Sequence, residues 1–278
     1  MGTCRSLLLL IGASALGSVL AAGSAQANLV GLWEFDDGSN PAVATIGNDL
    51  IVNNSNSTIA GVAGIDGSDG AFAVGLGDYF TANHDLVPNG GSSEYVNQFT
   101  FVYDLYLPTS TDSTWRTLFQ TNADNTNDGD YFISTSNEIG VAAIGYSTQT
   151  VAAEEWYRIV FSANIGAEPS SFTTTVTDSS GTNWSFDHGS QGLDGRHSLY
   201  STANLNLVHF FADNDGDDAE VHVSNLAIYD FPLTNGQALS LGGPGGEIPD
   251  MAAVPEPSTL ITVLLVVGGC VGVTWRRR

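Results

Sequence analysis

The chain has 278 residues, with 30 Asp plus Glu against 7 Lys plus Arg, a formal net charge of −23 and no lysine. Every acid except Glu256 lies between residues 28 and 254, where Arg116, Arg158 and Arg196 are the only cations. Such a surface repels phosphate backbones, which excludes nucleic acid as a partner, while it attracts divalent cations and keeps the chain solvated.

The N-terminal stretch MGTCRSLLLLIGASALGSVLAAGSAQA has one cation, Arg5, ahead of an apolar run that starts at Leu7 and is interrupted by Gly and Ser. It closes on Ala25-Gln26-Ala27, an A-x-A cleavage signal. This predicts a signal peptide over 1–27 and a mature chain that begins at Asn28. Cys4 and Cys270 both lie outside residues 28–254, so the region between the termini has no disulfide and is held by its core alone.

From residue 28 to 243 the pattern is that of strands. In NQFTFVYDLYLP (97–108), Phe99, Phe101, Tyr103, Leu105 and Leu107 share one face, with Thr100, Asp104 and Tyr106 on the other. Period 2 with aromatic enrichment marks a half-buried strand. EEWYRIVFSAN places Tyr157, Ile159 and Phe161 together, opposite Trp156, Arg158 and Val160, and NLNLVHFFAD is apolar on both faces around 208–211. Further strands are expected near 29–36, 79–82, 115–121, 130–135, 139–144, 171–177 and 219–230, punctuated by Gly, Asn, Asp and Ser. In the last of these the apolar phase changes from Val221 and Val223 to Leu226 and Ile228. One extra residue near Ser224-Asn225 would return all four to the core, so a β-bulge is expected there.

FPLTNGQALSLGG carries one helix signal. Thr234 is a candidate N-cap with Gln237 three residues on, Leu233 a hydrophobic staple and Gly242 the stop. The short helix is expected to pack Leu239 and Leu241 onto the sandwich edge. Residues 244–253 form a Gly/Pro linker that cannot extend a sheet. Around a dozen short strands with one short helix predict an all-β, antiparallel sandwich.

The order LVGLWEFDDGS, GDYFTANH, FTFVYDLYLP, WRTLFQT, GVAAIGYSTQTVAAEEWYRIVFSAN and VHFFADNDGDDAEVHVSNLAIYDFPLTNGQALSLGG resembles a laminin-G-like, concanavalin-A-like jelly-roll domain over about 29–242. The closing stretch is its most specific part. That fold hosts lectins, adhesion modules and glycoside hydrolases, so it does not settle function. Retaining glycosidases need two carboxylates about 5 Å apart, and hydrolases of this fold commonly carry Glu-x-Asp-x-x-Glu or Glu-x-Asp-x-Glu on one strand. Here Glu34-Phe35-Asp36 is the nearest match, and Gly38 and Ser39 stand where the second Glu would be. Glu154 and Glu155 are adjacent and point to opposite faces. No nucleophile motif is present, and His84, His188, His197, His209 and His222 show no metal-ligand spacing, His209 and His222 being expected as strand residues. The expectation is therefore a binding module rather than an enzyme, with a polysaccharide hydrolase or a ligandless matrix protein as the alternatives.

Two loops concentrate hard oxygen donors, NADNTNDGD (122–130) and DNDGDD (213–218). Ca2+ takes six to eight such oxygens, yet neither loop is an EF-hand, and Asn, Asp and Gly are also what an ordinary turn prefers. Laminin-G-like domains often hold Ca2+ at the rim, which makes Asp213, Asp215 and Asp217 the candidate ligands, with Gly216 letting the turn fold back. Trp115, Trp184, Tyr146 and Tyr200 near strand ends are either core or sugar-stacking rings.

The chain closes on VPEPSTLITVLLVVGGCVGVTWRRR. Thr259 to Thr274 would span about 24 Å as a helix, against a hydrocarbon core of about 30 Å, with Trp275 at the interface and the final arginines on the cytoplasmic side. Val254-Pro255-Glu256-Pro257, the apolar span and Arg276-Arg277-Arg278, in that order at the C-terminus, resemble the PEP-CTERM sorting signal of Gram-negative bacteria. The resemblance implies recognition by an exosortase, an integral-membrane cysteine-dependent transpeptidase, with cleavage near the triplet. It further implies transient anchoring in the inner membrane, delivery to the cell surface or extracellular matrix, and an extracellular polysaccharide or surface protein as partner.

Overall fold

The computed structural model describes residues 27–67, 69–166 and 170–251. The first half holds β1 (Leu29–Trp33), β2 (Ile51–Asn53), β3 (Ala60–Ala63), β4 (Gly70–Val74), β5 (Tyr79–Asn83), β6 (Tyr95–Val96), β7 (Gln98–Tyr106), β8 (Arg116–Gln120) and β9 (Tyr131–Ile133). The second holds β10 (Glu138–Val141), β11 (Gly145–Thr150), β12 (Trp156–Asn164), β13 (Ser171–Asp178), β14 (Asn183–Asp187), β15 (Leu199–Tyr200), β16 (Leu207–Phe210), β17 (Val221–Tyr229) and helix α1 (Asn235–Ser240). One antiparallel sheet runs β14-β13-β12-β7-β17-β4-β3, with β1 also beside β17, and the second runs β11-β10-β9-β8-β16-β5-β2. β6 and β15 form a separate two-stranded ribbon. The antiparallel sandwich expected from the strand pattern is present.

Between the sheets lies an aromatic core. Phe99, Phe101, Tyr103 and Leu105 of β7 meet Tyr157, Ile159 and Phe161 of β12 and Phe119 and Phe210 of the other sheet, all in one buried cluster. The expected face assignments hold because a strand's side chains alternate strictly. The bulge also falls where the phase change put it. Val223 pairs with Leu105 and Asn225 with Asp104, leaving Ser224 as the extra residue. Val221, Val223, Leu226 and Ile228 are consequently all in the core. The irregularity divides the other edge of β17, which pairs with β4 at Val221–Val223 and with β1 at Leu226–Tyr229.

Strands β2, β3, β4, β6, β11, β14 and β15 were not expected. β3 and β4 read AGVA and GAFAV, too small and Gly-rich for a strand signal. Their smallness has a packing reason: a Cβ at Gly70 would sit 2.2 Å from the Phe35 carbonyl oxygen, so only glycine lets those backbones approach.

α1 begins with the expected capping box, Thr234 and Gln237 each bonding the other's backbone N–H. Its packing differs from expectation. Ala238 and Leu241 are buried and Leu239 is not, and they lie on the outer face of the eight-stranded sheet rather than at the sandwich edge. There they join Val102, Val160, Ala227, Tyr229, Ile248 and Met251 in a second apolar cluster. The Gly/Pro stretch from 244 to 251 does not extend a sheet, but it is a docked strap rather than a free spacer. Arg158 explains this. Its guanidinium grips the Asp104 carboxylate through Nε (2.8 Å) and Nη2 (2.7 Å), and donates outward to the carbonyls of Leu241 and Gly246, each at 2.6 Å. Asp104 in turn accepts from Asn225 Nδ2 and the Gly245 N–H, both at 3.0 Å. Tyr229 OH donates to the Pro249 carbonyl.

No helix among the described residues is long and apolar enough to cross a membrane. The segment expected to do so, 259–274, lies outside the described residues, as do Ala25, Val254, Pro255, Glu256, Pro257, Arg276, Arg277 and Arg278.

Removing one member of a buried ion pair costs about 3–5 kcal/mol, because the partner is left charged and dry. Arg158→Met should therefore lower the unfolding free energy by about that much and make the 241–251 strap protease-sensitive. Arg158→Met with Asp104→Leu should recover much of the loss in urea melts, whereas equal destabilisation of single and double variants would rule out the pair as the cause.

Candidate functional site

The two acidic loops lie far apart in sequence and meet in space. Loop 121–130 follows β8 and folds back over it, while loop 211–220 joins β16 to β17 and returns along the same strand. Gln120 Nε2 ties them, donating to the carbonyls of Asn127 (2.8 Å) and Ala212 (3.3 Å). Thr117 of β8 donates through N and Oγ1 to the Asp217 carbonyl, both at 2.9 Å. Asn214 Nδ2 reaches the Thr126 carbonyl.

This meeting gathers Asp128, Asp213 and Asp215, each with a carboxylate oxygen within 4.8 Å of the others'. Asp213 is buried and the other two are exposed. Two of the three residues singled out from the second loop are thus in the cluster. Asp217 is replaced there by Asp128, a member of the first loop, whose oxygen donors the sequence flagged without singling out this residue. Asp217 serves instead through its main-chain carbonyl.

Asp213 has a second task. Its Oδ2 accepts from the N–H groups of Asp215, Gly216 and Asp217 at 2.9–3.1 Å, and its Oδ1 accepts from Gly129 at 2.9 Å. The side chain thereby closes its own turn, with Gly216 at φ +103, and pins the neighbouring loop to it. Burial opposes the charge, but the backbone bonds outweigh it and hold the carboxyl below its usual range. Asp215, facing Asp213 through a hydrogen bond and like charge, is pushed up, and Asp217 is pushed up by burial and by Asp213 and Asp128. Raised carboxylates crowded round an ionised one are an arrangement that a divalent cation relieves. Asp128, Asp213 and Asp215 could hold such an ion.

A cavity of about 210 Å³ abuts the cluster through Asp128, and Tyr95, Tyr200, Asn122, Asp194 and Arg196 also line it. Tyr95 and Tyr200 come from the β6–β15 ribbon, their rings 4.6 Å apart. The Tyr95 hydroxyl is pushed up to about 12, first by its bond to Tyr200 and then by burial. Arg196 reaches Asp130 through Nε at 2.8 Å and Asp128 at 3.6 Å, and it donates to the Gly129 carbonyl. Of the three cations in the described residues, Arg116 and Arg158 are buried and Arg196 alone is partly open, its side chain 34% exposed. Arg116 is committed to main-chain carbonyls, those of Thr111 and Thr114.

Of the four aromatics considered as sugar-stacking rings, Trp115 and Trp184 pack against the main core and Tyr146 against Trp115. Tyr200 alone borders the cavity, and its partner Tyr95 was not anticipated. Four histidines act as loop staples. His84, His188, His197 and His209 are buried, and each has one ring nitrogen about 3 Å from a main-chain carbonyl, of Tyr200, Gly145, Asp130 and Ala123 respectively. Burial lowers all four, His84 and His197 to about 4, which keeps the rings neutral near pH 7. His209 and His222 lie on strands, as expected.

No protein-family model matches the chain, and no curated protein does. Among solved structures the fold is similar to domain 4 of AbnA, a GH43 extracellular arabinanase from Geobacillus stearothermophilus in complex with arabinotriose. Identity is 16%, 78% of this chain and 98% of that chain are covered, and the TM-score is 0.50. It is also similar to the sialidase of Trypanosoma rangeli, at 15% identity and TM-score 0.50, with 77% of this chain and 32% of the sialidase covered. The chain thus spans about a third of the sialidase. These likenesses show the fold: a two-sheet antiparallel β-sandwich.

Asp218, the last residue of the second acidic loop, gives the site a pH signature. It is buried, accepts one bond from the Gly77 N–H (2.7 Å) through Oδ2, and its Oδ1 has no partner among the described residues. Burial, with Asp213 and Asp217 nearby, raises it to about 6. A raised folded-state value means that stability is fully present below the unfolded value near 4 and is lost as pH rises through about 6. Asp218→Asn should accordingly raise Tm at pH 7.5 in the presence of chelator, with the gain fading as pH is lowered to 4.5. A gain that is independent of pH would show that the buried charge is not its source.

Proposed function

We propose that residues 28–243 are an exported carbohydrate-binding domain of laminin-G-like type, delivered by a C-terminal PEP-CTERM signal. The observation that carries this is the convergence of the Asp128–Asp213–Asp215 cluster with the Tyr95–Tyr200 cavity through a shared residue, Asp128. Ca2+ on the three carboxylates would leave coordination positions open for hydroxyl oxygens, and a tyrosine pair beside it offers an apolar ring face for a sugar. The similar arabinanase domain, solved with arabinotriose, supports a saccharide as the ligand. Asp128 is now shared with Arg196, so cation binding would draw it away and open the guanidinium toward the cavity.

The sorting signal makes the chain a substrate of an exosortase, anchored transiently in the inner membrane by 259–274 and then moved to the cell surface or matrix. Signal-peptide cleavage after Ala27 would leave a charged amino group at Asn28. Its nitrogen lies 2.7 Å from Asp230 Oδ1, and its side-chain amide bonds the other carboxylate oxygen. A new ion pair would form there on maturation. Intact-mass measurement of the protein from its native host is expected to show Asn28 first and no residues beyond the Pro-Glu-Pro triplet. Retention of 258–278 would make the tail a permanent anchor.

One observation favours a second reading, polysaccharide hydrolysis. Glu34, Asp36, Asp66 and Asp69 line a cleft of about 630 Å³, and burial together with a bond to Asp36 raises the Asp69 carboxyl. A carboxyl raised by burial beside a second acid is the kind of group that acid–base work on a glycosidic bond uses. The second acid that the Glu34-Phe35-Asp36 stretch lacks, just past the end of β1, would then come from elsewhere in the chain.

A glycan array probed with the full chain, with 1 mM Ca2+ or with chelator, separates these readings. Ca2+-dependent retention, reduced about tenfold or more in Asp128→Asn/Asp215→Asn, is expected. Calcium-independent retention unchanged in that variant removes the cation from the site. Release of reducing ends from a retained polysaccharide, abolished in Asp69→Asn, would establish the hydrolase instead.

A further inference from the structure

The outer face of the eight-stranded sheet is only partly covered by α1 and the strap. Toward the other end of β7, β12 and β13 the outward-facing register rows are Thr100–Ser162–Thr173 and Gln98–Asn164–Ser171. Every one of these residues is an uncharged hydrogen-bonding side chain. The segment 231–237 rises beside them, held down by Thr100, whose Oγ1 donates to the Phe231 carbonyl (3.0 Å) and accepts from the Leu233 N–H (2.8 Å). The result is a groove of about 420 Å³ with Phe231 and Pro232 along one wall.

Two features distinguish this groove from the rest of the surface. No charged side chain lines it, in a domain with five carboxylates in its 630 Å³ cleft alone and several in the tyrosine cavity. Its amides are also pre-oriented. Asn164 Oδ1 accepts from Gln98 Nε2 (2.7 Å), Asn235 Oδ1 from Ser185 Oγ (2.6 Å) and Thr175 Oγ1 (3.1 Å), and Gln237 Oε1 from the Thr234 N–H and Oγ1 (both 2.9 Å). Each oxygen is thereby committed to the fold, and each NH2 group has no partner among the described residues. A groove that presents fixed amide donors and rotatable hydroxyls beside an aromatic ring complements a chain rich in neutral oxygen acceptors with an apolar face. Anions are disfavoured by the field of the whole domain.

We propose that this groove is a second binding site, for an uncharged polysaccharide segment, on the sheet opposite to the one that carries the acidic cluster. The inference rests on the carbohydrate-binding reading for its ligand class only; the site is a different one. With a site on each sheet, one molecule would bridge two polymer chains, which suits a matrix component.

The test uses the full chain in a non-glycosidic detergent, run by affinity electrophoresis through gels containing dextran, hydroxyethylcellulose, arabinan or polygalacturonate, all with chelator so that a cation-dependent site is silent. Retardation by at least one neutral polymer is expected, and Asn164→Asp and Asn235→Asp, which keep the internal oxygens and delete the donors, should each weaken it about tenfold. Ser171→Trp, which fills the groove without touching an internal bond, should do the same with an unchanged Tm. Tyr200→Ala, in the other cavity, should leave it unaltered. Retardation by a neutral polymer that survives Asn164→Asp and Ser171→Trp, or that Tyr200→Ala removes, overturns the second site and leaves the carbohydrate-binding reading standing. Retardation by polygalacturonate alone overturns the site as well. If no polymer retards the chain in chelator, the site is overturned; if none does with Ca2+ either, the broader reading falls with it.

Discussion

The pairing of Arg158 with Asp104 is the constraint on which the outer half of this molecule depends. Both groups are buried, so each would carry a prohibitive desolvation cost alone. Bidentate geometry offsets part of that cost, and further donors and acceptors of the pair are spent on Asn225, Gly245, Leu241 and Gly246. The pair therefore reads the main chain of the strap rather than its side chains. A segment of Gly and Pro, with little to bury, is held because a guanidinium needs carbonyls and a carboxylate needs N–H groups. Once held, it brings Ile248 and Met251 onto Val102 and Val160, and the sheet acquires a covered outer face without a disulfide in the whole region.

The same economy of cations shapes the surface. Arg116 and Arg158 are enclosed and Arg196 is bound to Asp128 and Asp130, so arginine is scarce at a surface crowded with carboxylates. Repulsion then has to be managed locally. Asp213 does so with backbone N–H groups, which stabilise one charge by ordering two loops. Asp215, Asp217 and Asp218 are left with raised affinities for protons, and the same excess of negative charge is available to a cation. Neutral staples complete the loops: histidines kept uncharged by burial each lie about 3 Å from a main-chain carbonyl.

Much of the sandwich was legible in the sequence. The alternating faces of β7 and β12, the bulge at Ser224 and the capping box at Thr234 are consequences of short-range geometry, with a period of two or a spacing of three, and each is visible within a dozen residues. The strands that escaped notice, β3 and β4 among them, are built from Ala and Gly, whose role is to let backbones approach and which carry no apolar pattern of their own. The site was half legible. Both acidic loops stood out by composition, but composition could not pair Asp128 with Asp213 and Asp215, nor show that Asp217 would use its carbonyl. Tyr95 and Arg196 carried no local signal, since their significance lies only in which neighbours the fold gives them.

By itself, then, the chain determined whatever local chemistry dictates: strand faces, the bulge, the helix cap, the absence of disulfides between the termini and the sign of the electric field. Tertiary structure alone decided that a Gly/Pro stretch is a strap, that two distant turns make one cluster, and that the uncovered end of a sheet is an uncharged groove. The reason is physical. Hydrogen-bond donors and carboxylates act only on their near neighbours, and for Arg158 and Gly246, or Asp128 and Asp213, that neighbour is fixed by the path of the whole chain.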